Sequence, residues 1–119
     1  MPKDDSVYLG HMLDAAKKVV SRIQGKSRQE YDASEDLQII LAYLIQTIGE
    51  AASRVLVELR DQHPEIPWKQ IVGMRNRIVH DYMNIDADIV WEVATRNIPV
   101  LIAQLESISM SGDSLNPEP

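Results

Sequence analysis

Within this 119-residue chain, chemistry-bearing side chains concentrate at Arg75-Asn76-Arg77-Ile78-Val79-His80-Asp81-Tyr82. A neutral imidazole, with a reference pKa near 6.5, can take a proton from an RNA 2′-OH at neutral pH. A guanidinium can hold the phosphate in a bidentate grip and stabilise the charge that builds in the transition state. Together these types suit phosphodiester cleavage without a metal, with His80 as acid/base and Arg75 as phosphate ligand. In-line displacement also needs an acid on the leaving 5′-oxygen, opposite the base, and one His cannot serve both ends in one step. In an uninterrupted helix Asn76 and His80 would share a face. Arg75 and His80 would stand about 140° apart around the axis, and would not converge unless the helix ends or bends between them. A two-fold dimer would supply two His and two Arg to one cleft. The same residues also serve plainer ends: a His near a helix C-terminus can stabilise the dipole, and Arg on a short helix is commonly solvated.

Composition narrows the field. The formal net charge is −6, with 12 Lys and Arg against 18 Asp and Glu. Non-specific nucleic-acid binding relies on clustered cations, so an RNA-directed site must be a local basic spot on an acidic surface. Cysteine is absent, which excludes disulfides, thiolate nucleophiles and Cys-based zinc sites. His11 and His63 lack partners at metal-ligand spacing, and no Glu-x-x-His pair occurs, so neither a metal nor a cofactor is expected. The polar start and the short apolar runs, Ile39 to Ile45 being the longest, point to a soluble cytoplasmic protein without a membrane span.

The positioning elements read as helices. With no Phe and few Gly, the core falls to Leu, Ile, Val, Ala and Met, a palette for helix packing. Tyr8, Met12, Ala15, Val19 and Ile23 form one stripe from Asp5 to Gln24, closed by Gly25. Ser27 and Glu30 have capping-box spacing for a short helical turn. Leu37, Leu41, Leu44, Ile48, Ala51, Val55 and Leu59 extend a second helix over 35–62, with Gly49 marking a close helix approach. Glu50 beside it reads as a buried hydrogen-bonding residue or a contact to the motif. A third helix spans 68–80 after Pro67, with Trp68 in the core. A fourth runs from 87 to 107 with Trp91 also in the core, and Pro99 demands a kink near Thr95 or two shorter helices. Lys17, Lys18, Arg22, Lys26 and Arg28 form a basic stretch, read as a solvated face before an RNA guide. The expected architecture is all-α: a four-helix up-and-down bundle with one additional short helix over 1–108, and a disordered tail over 109–119.

Arg75-x4-His80-x-Tyr82 matches the R-x4-H-x-Y motif of the HepT-like branch of the HEPN superfamily. Flanking segments resemble it in order: Tyr8-Leu9-Gly10-His11-Met12, Ile48-Gly49-Glu50-Ala51-Ala52, Pro64-Glu65-Ile66-Pro67-Trp68, Gly73-Met74-Arg75-Asn76, Val90-Trp91 and Asn97-Ile98-Pro99-Val100-Leu101. The resemblance implies a HEPN bundle that forms a homodimer, with Arg75 and His80 of both protomers lining a metal-independent RNase cleft. Asn76 would orient phosphate or His80, and Arg77 would support RNA phosphate. It also implies a type VII-like toxin–antitoxin pair, in which an MntA-type minimal nucleotidyltransferase transfers AMP to the motif tyrosine, Tyr82. The other reading is a non-catalytic helical module, or an inactive scaffold, that docks such a nucleotidyltransferase.

Overall fold

A computed structural model describes residues 3–81 and 84–110. For Lys3, Arg75, 79–81, Asn84, Ser109 and Met110 it describes the backbone alone. The first helix, α1 (Lys3–Ile23), buries Leu9, Met12, Ala16 and Val19 completely. It ends where expected: Gly25 takes φ 77°, a left-handed conformation that suits glycine just past a helix end. The short α2 (Arg28–Asp32) carries the expected capping box. The Glu30 N–H donates to Ser27 Oγ at 3.0 Å, and the Ser27 N–H donates to Glu30 Oε1 at 2.9 Å. The Ser27 N–H donated to the carboxylate, with the Ser27 hydroxyl adding, holds the Glu30 carboxyl below its ordinary range.

The second long helix stops earlier than its periodicity implies. Helix α3 (Glu35–Ser53) starts on Ser34, whose Oγ accepts the Leu37 N–H at 3.1 Å. After a break at 54–56 comes a second short helix, α4 (Val57–Gln62). The break is satisfied from a distance. Asp5 of α1, 1% exposed, accepts the Leu56 N–H at 3.0 Å. The Arg60 guanidinium donates to the carbonyls of Val55 and Ser53, each at 3.0 Å. Neither partner could be read from the apolar stripe, which continues through Val55 and Leu59 regardless.

Helix α5 (Trp68–Ile78) comes next, with Trp68 buried and its Nε1–H donated to the His63 carbonyl at 3.0 Å. It ends two residues before the expected end. A two-stranded antiparallel ribbon takes over, β1 (Val79–Asp81) pairing with β2 (Asn84–Ile85). The Asp86 N–H then donates to the Ile78 carbonyl at 2.7 Å, tying the ribbon to the last turn of α5. Asp86 also caps α6 (Ala87–Glu92) by accepting the Ile89 N–H at 3.1 Å.

Pro99 has the consequence its chemistry requires. It has no N–H for the Thr95 carbonyl, so the α-helical ladder cannot continue there. A π turn (Val93–Asn97) intervenes, with the Ile98 N–H bonded back to Val93, before α7 (Ile98–Met110) begins. The last arm is therefore two shorter helices joined by the π turn.

The result is an all-α bundle. Helix α1 packs against α3 and α7, and α3 packs against α5. Leu41, Ile45, Ile48, Ile66, Ile78, Ile98 and Leu105 form its fully buried centre. Trp91 is half-buried, its ring centroid 4.8 Å from that of Tyr31. Tyr31 is fully buried and donates its hydroxyl to the Ala87 carbonyl at 2.8 Å, pinning α2 to the start of α6. Among the described residues no helix is long and apolar enough to cross a membrane. The tail expected over 109–119 lies outside the described residues from position 111.

Candidate functional site

The motif segment is placed by α5, and α5 is placed by Gly49. A Cβ on Gly49 would stand 3.0 Å from the Ile71 carbonyl oxygen, so hydrogen at this position lets α3 approach the backbone of α5. That is the close approach expected of a glycine inside a long helix. Glu50, its neighbour, is exposed, which corrects the expectation that it is buried. The α3 face that carries Ile48, Gly49 and Ala52 is the buried one, and Glu50 falls on the other side.

The backbone separates the two motif residues by element. Arg75 belongs to the last turn of α5, while His80 belongs to β1. The helix thus ends between them, which removes the constraint of about 140° that a continuous helix would impose. The shared face expected for Asn76 and His80 does not apply either, for the same reason. The side chains of Arg75 and His80, and all of Tyr82, lie outside the described residues. Asn76 and Arg77 are both exposed on α5.

Arg77 faces a groove of about 320 Å³ between α5 and the π turn. Met74, one turn before it, and Ile71 line the groove from α5, and Arg96 and Asn97 line it from the π turn. Sequence reasoning missed Arg96. Its only local signal was Pro99, which marked an irregularity near Thr95 without saying which side chains it would redirect.

In the basic stretch of α1 and α2, three of the five cations are occupied. Lys17 pairs with Glu106 at 3.4 Å and Lys18 with Asp14 at 3.2 Å. Arg28 pairs with Asp32 at 2.8 Å and also with Asp88; these carboxylates, Asp32 foremost, raise its pKa above the ordinary value. The stretch is therefore chiefly a surface of ion pairs, in keeping with a solvated face. His63 is half-buried, its Nδ1 3.6 Å from Glu65 Oε2. Among the described residues no three His, Asp or Glu gather at metal-binding range.

A family model for ribonuclease HepT-like proteins matches residues 12–108, from α1 to near the end of α7. The chain belongs to this HepT-like family. The match covers every element that builds the bundle, and it makes the chain a HepT-like ribonuclease of the HEPN class. A candidate RNase of Caldanaerobacter subterraneus subsp. tengcongensis is 32% identical over 101 residues, which is 85% of this chain and 90% of that one. A Methanocaldococcus jannaschii protein, named as a gamma-glutamylcyclotransferase and candidate RNase, is 31% identical over 91% of this chain and 49% of its own length. The probable ribonuclease HepT of Thermococcus cleftensis is 23% identical, covering 91% of this chain and 98% of that one. No solved structure shows a significant match to the HepT-like chain.

Proposed function

We propose that this HepT-like protein is a metal-independent endoribonuclease toxin whose cleft is completed by a homodimer, with Arg75 and His80 as its catalytic residues. The observation that carries this reading is the family match over 12–108, within which Arg75-x4-His80-x-Tyr82 supplies the required residue types. His80 of one protomer takes the proton of the RNA 2′-OH, and the freed oxygen attacks the adjacent phosphorus. The P–O5′ bond breaks, and the partner's His80, protonated, gives its proton to the departing 5′-oxygen. The products are a 2′,3′-cyclic phosphate and a 5′-hydroxyl. Arg75 neutralises the charge on the non-bridging oxygens as the transition state forms, and Asn76 orients the phosphate or His80. Dimerisation rests on this need for two proton-transfer groups on opposite sides of the phosphorus. The end of α5 at Ile78 removes the other ground for it, which came from the helical angle.

In the same reading an MntA-type nucleotidyltransferase neutralises the toxin by transferring AMP to Tyr82. Adenylyl groups beside the cleft place negative phosphate and bulk where RNA phosphate must bind. The decisive experiment compares growth arrest and RNA cleavage between the wild type and His80→Ala. Cleavage that persists in EDTA and disappears in His80→Ala supports the assignment; a fully active His80→Ala protein sinks it. A wild-type chain that never cleaves RNA, yet co-purifies with a nucleotidyltransferase, points instead to the docking module.

A further inference from the structure

We propose that the groove between α5 and the π turn binds one unpaired nucleotide of the RNA next to the scissile phosphate, with Arg96 and Arg77 holding its phosphates. The inference rests on the ribonuclease reading for its class of ligand, but not on the roles of Arg75 and His80.

Occupancy of the arginines comes first. In a chain of net charge −6, several surface arginines are engaged internally. Arg28 pairs with two aspartates, Arg60 bonds backbone carbonyls, and Arg54 lies over the Tyr8 ring. Arg77 and Arg96 are exposed and, among the described residues, form no ion pair and no hydrogen bond. They line one groove from two different elements, α5 and the π turn. Two guanidiniums left free in one groove suit a ligand with more than one anionic oxygen.

Size and lining narrow the ligand. About 320 Å³ stands at the lower end of small-ligand sites, roughly 300–1,000 Å³. This is room for one nucleotide and not for a duplex. Pro67, Ile89 and Val100, exposed or half-buried members of the lining, offer apolar surface against which an unstacked base can lie, the usual way single-stranded RNA is held. Glu65 and Glu92 also line the groove, so two acids balance the two arginines. That balance fits a ligand with both phosphate acceptors and base N–H donors, and fits a simple anion trap poorly.

Position fixes which nucleotide. Arg75 and Arg77 are two residues apart in α5, about 160° around its axis, while Ile71, which also lines the groove, is four residues from Arg75 and only about 40° away. The groove therefore begins beside the motif position and runs round the helix to Arg77. A strand whose scissile phosphate is held at the motif reaches the groove with the adjoining nucleotide. The π turn produces the rest of the lining: its extra residue rotates α7 by about 100° relative to a continuous α-helix.

The test uses the full chain in a His80→Ala background, binding a fluorescein-labelled mixed-sequence single-stranded oligoribonucleotide over a range of KCl. Arg96→Gln is expected to weaken binding about tenfold and to lower the slope of log affinity against log salt by about 0.7, the value for one single-strand phosphate contact. Arg96→Lys should restore most of the slope. Val100→Glu, a charge added at an exposed position of the same groove, should weaken binding without touching either arginine. In the active background the loss should fall mainly on KM. An Arg96→Gln protein with unchanged affinity and salt slope overturns the proposal. So does an effect that tracks loss of the dimer in sedimentation, which would make the groove an interface between copies. Absence of any RNA binding by the parent overturns it as well. If the wild type binds RNA through Arg96 but never cleaves it, the catalytic reading fails and the groove stands. If His80-dependent cleavage is intact and Arg96 is silent, the groove fails alone.

Discussion

Gly49 lies so close to the Ile71 carbonyl oxygen that a Cβ on it would stand 3.0 Å away. This contact sets the distance between the central helix and the helix that carries Arg75. Gly49→Ala gains about 1 kcal/mol of helix propensity but must push backbone away from backbone, at a typical cost of about 1–3 kcal/mol. The expected net is a loss of up to about 2 kcal/mol in chemical denaturation, accompanied by reduced RNase activity because α5 is displaced. Gly10→Ala is the control: nothing lies within 4 Å of its Cβ position, and it should be neutral or stabilising.

Single-turnover cleavage separates the two motif residues. His80→Ala is expected to lower the rate by about 10²–10⁴ through loss of proton transfer. Arg75→Ala should cost about 10²–10³. Arg75→Lys should recover only part of that, because an ammonium cannot make the bidentate grip. Equal activity of Arg75→Lys and wild type would remove the bidentate role.

Modification has its own readout. On the proposed neutralisation, incubation with an MntA-type nucleotidyltransferase and radiolabelled ATP should label the wild type and leave Tyr82→Phe unlabelled, with RNase activity of the latter resistant to neutralisation. Label that persists on Tyr82→Phe places the acceptor elsewhere.

Tyr31 offers an alkaline signature of the fold. Burial pushes its hydroxyl up to about 12, nearby Arg28 opposing and Asp32, Asp88 and Asp86 adding, against an ordinary value near 10. The folded chain therefore holds this proton more tightly than the unfolded chain. Its contribution to stability is complete below about pH 10 and is lost as pH rises toward about 12. Tyr31→Phe should flatten that alkaline decline in thermal melts. At neutral pH it should cost about 1 kcal/mol, because the part-buried Ala87 carbonyl loses its donor.

Local interactions were legible without coordinates. Gly25, the Ser27–Glu30 capping box and the buried stripe of α1 all arise from contacts or periodicity local to one stretch of chain. The motif and its ordered flanking segments pointed to the HepT-like family, and the match over 12–108 supports that. What the sequence alone determined is thus an all-helical bundle of this family with a concentrated motif near the end of its third arm. Tertiary structure decided where helices stop. The break at 54–56 depends on Asp5, about fifty positions upstream, and α5 gives way to a β-ribbon whose Asp86 N–H closes on Ile78. It also brought Arg96 and Arg77 to one groove. Periodicity records which residues want burial, but a backbone group left without a helical partner can be satisfied from anywhere in the chain. Only the folded chain shows who supplies it, and that choice places Arg75 and His80 in different elements.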